Sequence, residues 1–232
     1  MAFQQIVAPT VKALFVQQLE GMILSGELKP GDRLPTEREL ADEMKISKTV
    51  VHEGLRELHR LGFLDIASRR GVTVADYAQT GSLETLMAIM RYHGGLPDAK
   101  TAHSILQLRY YLEAPAMREL ARRQDSGDMA ALHRFQQQAE DAAAEGVDAV
   151  AEALFRYHRG VTFLSGNTIT PLLFNAFMQV NLEFWRDYVR AEGIGGSIAR
   201  LRQFTTLIEQ GQGEAAAALL FEGLEEFGRK LK

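Results

Sequence analysis

The chain has 232 residues with 26 Lys/Arg, 30 Asp/Glu and no cysteine, long enough for two modest domains around a substantial core. The missing cysteines exclude a disulfide framework and any thiolate metal site. No window approaches the roughly eighteen apolar residues of a membrane span, and Met1-Ala2-Phe3-Gln4-Gln5 shows no charged leader before an apolar run, so a cytoplasmic protein with no membrane partner is expected.

The net charge of −4 is uneven: residues 1 to 75 hold ten Lys/Arg and ten Asp/Glu, so the whole deficit lies after them. Affinity for a polyanion would then rest on where single cations stand rather than on a global field.

Elements in chain order begin with Thr36, which opens a capping box with Glu39 and starts a helix carrying Leu40 and Met44 on its buried stripe. Lys45-Ile46 turns the chain, and Ser47 caps a second helix. Val51, Leu55 and Leu58 stand at i, i+4 and i+7 and face inward, leaving Lys48, Thr49 and His52 outward near the N-terminal end, where they and Ser47 are expected DNA contacts. A helix entering a major groove touches base edges with such positions. Arg38 on the preceding helix can reach phosphate or guanine as a rigid donor fork, and Val50 can meet a thymine methyl. Phe63-Leu64-Asp65-Ile66 alternates as a strand, Arg69-Arg70-Gly71 is a basic tip suited to backbone or minor groove, and Val72-Thr73-Val74 returns.

Two short helices, a turn and a basic hairpin make a winged helix-turn-helix. The stretch from about residue 9 to 75 resembles the DNA-binding domain of the GntR family, through Leu34-Pro35-Thr36-Glu37-Arg38-Glu39-Leu40-Ala41, Ser47 with Leu55 and Leu58, Gly62-Phe63-Leu64 and Arg69-Arg70-Gly71. Two positions depart from the family pattern. Lys48 and His52 stand where arginines are usual, so a guanine-reading fork does not carry over there. Gly54 replaces the usual alanine, which predicts a looser reading helix by roughly 0.5–1 kcal/mol.

From Thr80 onward the hydrophobic spacing is helical, with breaks at Gly/Pro/Ser/Asn clusters that divide it into seven helices over 81–93, 100–123, 127–145, 148–164, 168–191, 195–210 and 213–231. The expected fold class is therefore mainly α: a winged helix-turn-helix over 1–76 with a small β-wing, and an all-α effector-binding and dimerisation domain over 77–232. Arg109, on an apolar face with Ile105, Leu108 and Leu112, needs an anion, either Glu113 one turn on or a ligand carboxylate. The aromatics Phe174, Phe177, Phe184, Trp185 and Tyr188 recur at helical spacing, as core or dimer packing first and ligand wall second.

This order of domains, with Arg109-x-x-x-Glu113, Ala116, His158 and Ser165-Gly166-Asn167, resembles the FadR subfamily of GntR regulators, and implies a homodimer with a small-molecule site in the helical domain. Many members hold a metal through an Asp-x-x-x-His pair and two later histidines. The corresponding positions here are Leu154, His158, Leu201 and Gly223, so no metal and no cofactor are expected, since such sites need three or four N/O ligands. Leucine at 154 and 201 predicts an apolar pocket with His158 in its wall and Arg109 on an anionic group, suited to an acyl-CoA or other amphipathic carboxylate. Alternatives are a small organic acid, or closed packing of those leucines. Nothing resembles a nucleophile elbow, phosphate loop or paired catalytic carboxylates, so no enzyme is expected. The function implied is a dimeric repressor that binds double-stranded operator DNA and is released by its effector, the rival being an effector-independent DNA-binding protein.

Overall fold

The computed structural model describes residues 8–67, 71–92 and 99–231. By packing the chain forms two compact units, Met1–Gly94 and Gly95–Lys232, mainly helical with one small sheet.

In the first unit, α1 (Val11–Leu24) starts at a Thr10 cap. Helix α2 (Glu37–Met44) opens with both bonds of the capping box: Glu39 N–H donates to Thr36 Oγ1 at 3.3 Å, and Thr36 N–H to Glu39 Oε2 at 2.8 Å. Lys45 ends it in the left-handed region at φ 56°, which makes the sharp turn into α3 (Lys48–Arg60), capped by Ser47. Strands β1 (Leu64–Ala67) and β2 (Gly71–Val74) pair antiparallel with Leu64 opposite Val74 and Ala67 opposite Gly71. The loop before α2 lies along β2 as a third line, Leu34 N–H donating to Val72 O and Gly31 N–H to Val74 O. Phe15, Leu19, Val51, Leu55, Leu58 and Phe63 close the core. The expected winged helix-turn-helix is the architecture of this unit.

Gly54 has a different role from the loosening expected of it. A Cβ at 54 would lie 2.3 Å from Phe15 Cδ1, so glycine on α3 is the space into which α1 inserts its aromatic ring. Gly54→Ala should therefore destabilise the unit by about 1–3 kcal/mol through overpacking, although helix propensity alone favours alanine. Urea melts of the two proteins measure the sign, and a more stable alanine variant would show that Phe15 moves aside freely.

Helices α4 (Tyr77–Thr80) and α5 (Leu83–Tyr92) follow the wing. The boundary expected at 76/77 assigns them to the helical domain, but they pack with the winged helix: Thr85 lies against Gly62, Tyr92 against Gly21, and Arg60 pairs with Glu84 at 2.6 Å. Contact across α1 and α3, which spacing along one helix cannot reveal, decides that placement.

The second unit contains α6 (Ala99–Arg123), α7 (Ser126–Asp141) with a 3-10 turn over Ala142–Ala144, α8 (Val147–Leu164), α9 (Thr170–Ala176), α10 (Met178–Glu209) and α11 (Gly213–Lys230). Buried α8 runs through the middle, with α6, α7 and α10 against it and α11 beside α6. Two expected boundaries differ. The helix expected over 168–191 divides at Phe177, whereas the break expected at Gly193–Gly196 is one kinked residue inside α10, Gly193 at φ 76° and ψ 155°. Glycine reaches that left-handed φ without a Cβ clash, and Ser197 Oγ donates back to Gly193 O at 2.9 Å, so the helix resumes at once.

Candidate nucleic-acid interface and ligand cavity

On the first unit, Arg38, Lys48, Thr49 and His52 are exposed. The Arg38 side chain keeps 79% of its surface in water, and its one ion pair among the described residues is a 3.9 Å contact with Asp42 on the same helix, worth little in solvent. Ser47 is exposed too, but its Oγ is engaged by Val50 N–H as the cap of α3. Its role is to fix where the helix begins. His52 Nδ1 donates to Glu37 Oε1 at 2.8 Å, which ties the reading helix to the start of α2. No acidic residue stands in the first turn of α3, so Lys48 and the free amide ends of that turn share one positive edge. Arg69 and Arg70 lie outside the described residues. The exposed cations of this unit that the sequence did not single out include Arg56 on α3 and Arg33, whose guanidinium sits over Gly71 at the base of the wing.

The second unit encloses a buried charge cluster. Arg109 Nε donates to Glu113 Oε1 at 2.9 Å, and His158 Nδ1 donates to Glu113 Oε2. All three are at least 96% buried. Burial pushes the Glu113 carboxyl upward, but the charges of Arg109 and His158 and their hydrogen bonds outweigh it, and the group is held below the usual carboxylate range. Both anions expected for Arg109 are therefore relevant: Glu113 takes Nε, whereas Nη2 is buried with no partner among the described residues.

That guanidinium faces a cavity of about 30 Å³, room for a couple of water molecules. Its walls are Arg109, His158, Phe184, Trp185, Tyr188, Arg200, Phe204, Leu220, Gly223, Leu224 and Phe227. Arg109 Cζ lies 4.6 Å from the Trp185 ring centroid, and the His158 ring tilts on the same indole at 4.7 Å. Trp185 Nε1 and Tyr188 OH are also buried without partners among the described residues. Burial raises the Tyr188 hydroxyl pKa, so it keeps its proton and remains a donor.

Of the four residues expected around an effector, Arg109 and His158 line this cavity together. Leu154 and Leu201 do not: each is 1% exposed and belongs to the core. One position before Leu201, Arg200 occupies the wall instead, a residue the sequence reading missed. The signal available was Gly223, a mid-helix glycine that asks for a packing reason; a Cβ there would lie 2.7 Å from Arg200 Nη1. These residues do not fit a divalent metal. His158 is the only imidazole in the wall, its Nδ1 is taken by Glu113, and two guanidiniums face the space. Among the described residues no three His, Cys, Asp or Glu side chains gather as a ligand set.

An exposed reading helix, a wing and a separate helical unit with a mainly apolar cavity beside a buried charge cluster define a winged helix-turn-helix regulator. Residues 14–74 match the bacterial regulatory proteins of the gntR family, and residues 104–226, more than half of the chain, match the FCD domain. The chain belongs to the GntR family of bacterial transcription regulators, in its FadR-like form with an FCD domain, which is a family of DNA-binding regulators and not of enzymes. It is 28% identical over 177 residues to the HTH-type transcriptional regulator Mce2R of Mycobacterium tuberculosis, covering 76% of this chain and 72% of that one. It is 29% identical over 167 residues to the fatty acid metabolism regulator protein of Klebsiella pneumoniae, covering 72% and 67%. The fold is similar to that of Lar, which controls the expression of the Listeria monocytogenes agr system, with a TM-score of 0.60 at 16% identity over 97% of this chain and 98% of that one. Among the described residues no helix is long and apolar enough to cross a membrane.

Proposed function

We propose that this regulator is a dimeric repressor whose affinity for operator DNA is set by a compact carboxylate bound in the cavity of the helical unit. The observation that carries the reading is that three residues in the wall of one cavity, Arg109, Trp185 and Tyr188, each bury a donor, Nη2, Nε1 and OH, that has no partner among the described residues. Buried polar groups without partners are costly, and a carboxylate supplies acceptors for all three. Arg38, Lys48, Thr49 and His52, with Arg69 and Arg70, contact the duplex, Ser47 sets the start of the reading helix, and a second copy occupies the second half-site. Effector binding favours one of two arrangements of the DNA-binding units.

A cavity of about 30 Å³ holds a couple of water molecules, so an effector enters by displacing the wall, and a small acid asks for less displacement than the acyl-CoA that the apolar lining leads one to expect. The named function of the fatty acid metabolism regulators supports an acyl ligand as a second reading. Melting the full chain with butyrate, lactate and acyl-CoAs of graded length separates the two. A ligand at a hundredfold its Kd adds about 2.7 kcal/mol, a rise of roughly 5–10 °C for a chain of this size. Short carboxylates are expected to give it, and Arg109→Ala to abolish it. A shift that grows with acyl length supports the second reading, whereas no shift with any carboxylate, or an equal shift in Arg109→Ala, removes both.

A further inference from the structure

An acidic side chain stands among the cations of the first unit. Glu37 opens α2 one residue before Arg38, although a carboxylate near a phosphate backbone is repelled by it. The start of the helix does not explain it, because Thr36 and Glu39 already close the capping box. Stability does not explain it either: Glu37 and His52 are both about half exposed, and an ion pair in solvent adds little. What the contact fixes is the imidazole ring. Its 2.8 Å bond from Nδ1 to Glu37 Oε1 joins α3 to α2 across the turn.

A carboxylate only accepts, so the hydrogen of that bond is on Nδ1. The neutral ring then carries its lone pair on Nε2 and is an acceptor there. Nε2 has no partner among the described residues. One turn to either side on the exposed face of α3 stand Lys48 and Arg56, which donate and never accept. His52 is thus an uncharged acceptor in a row of donors. In the major groove, guanine N7 and O6, adenine N7 and thymine O4 accept, whereas adenine N6 and cytosine N4 donate. An acceptor on the reading helix meets one of those two amines and opposes N7 and O6, the reverse of what an arginine at this position would read. Aspartate or glutamate could accept there too, but would bring a negative charge toward the phosphates.

We propose that His52 reads the exocyclic amine of an adenine or a cytosine through Nε2, and that Glu37 is a positioning residue that sets this preference by holding the hydrogen on Nδ1. The proposal rests on the placement of His52 against the duplex given above and adds the chemistry of the base to it.

Anisotropy titrations of the full chain at fixed salt and about pH 8, where a free imidazole is neutral, test it on a duplex selected from a random-sequence pool. Repeating the selection with His52→Ala marks the base pair whose preference disappears. At that pair the amine is removed by 2-aminopurine in place of adenine or pyrimidin-2-one in place of cytosine, and N7 is removed separately by the 7-deaza purine. Loss of the amine is expected to weaken binding of the unaltered chain about fivefold or more, and loss of N7 to leave the Kd within about twofold, as for a single hydrogen bond. His52→Ala should bind the three duplexes alike. Glu37→Ala should narrow the amine effect to about twofold or less without lowering affinity for a scrambled duplex, whereas a merely structural role for Glu37 would lower affinity for both. An N7 effect larger than the amine effect, or no amine effect, overturns the acceptor role and leaves the contact of His52 with DNA standing. An amine effect that survives Glu37→Ala overturns the part given to Glu37. If His52→Ala changes the preference at no base pair, the placement of His52 against the bases falls, and this proposal with it.

Discussion

Replacing Glu113 by alanine is expected to cost about 3–5 kcal/mol of stability, because it leaves Arg109 and His158 buried without their shared anion. Glu113 is fully buried and holds both partners at once, so no rotation of either brings a cation to water. The same carboxyl gives the fold an acid limit. Its folded pKa lies below the unfolded value, about 4.3, owing to Arg109 and His158 acting against burial. Its contribution is complete above the unfolded value and is lost as pH falls through the folded one. Urea midpoints at neutral pH and at steps down to about pH 3 should show the unaltered protein losing stability on the acid side more steeply than Glu113→Gln. A Glu113→Ala protein within about 1 kcal/mol of the original at neutral pH would mean that the cluster contributes little.

The second large effect concerns DNA. Arg38→Ala should weaken binding to the preferred duplex by roughly 1–3 kcal/mol if its fork reads a base. Lys48→Ala should weaken all duplexes alike and lower the salt slope by about one, as a lone ammonium on a phosphate does. Neither change should alter stability, because the Arg38 side chain has only a weak exposed pair to lose and Lys48 is exposed. Anisotropy titrations on the preferred and a scrambled duplex at several salt concentrations separate the two roles. An Arg38→Ala protein with unchanged affinity would remove α2 from the interface.

The first unit was legible in the sequence because its signals are local. Thr36 with Glu39, Ser47, and Val51, Leu55 and Leu58 each act within one turn of helix, and each is found as the residues predict. What was not legible depends on contact between distant elements. Spacing shows that Leu83–Tyr92 is a helix but not that Tyr92 meets Gly21 on α1. Gly54 reads as a weak helix position until Phe15 is seen on it. In the cavity one step along a helix turns the side chain by about 100°, so assigning Leu201 to the wall places the neighbouring Arg200 on the wrong face, and with it the second charge of the site. The break read at Gly193–Gly196 shows why glycine alone does not end a helix: Ser197 closes back onto Gly193 O and the axis continues past the kink.

Control of DNA affinity by a carboxylate at Arg109 is measured directly as the Kd of the full chain for a duplex selected from a random-sequence pool, at fixed salt, with and without a saturating carboxylate. A fall in affinity of about five- to a hundredfold is expected, the usual range of coupling between two sites, with no change in Arg109→Ala. An unchanged Kd while calorimetry shows the carboxylate bound would contradict the account.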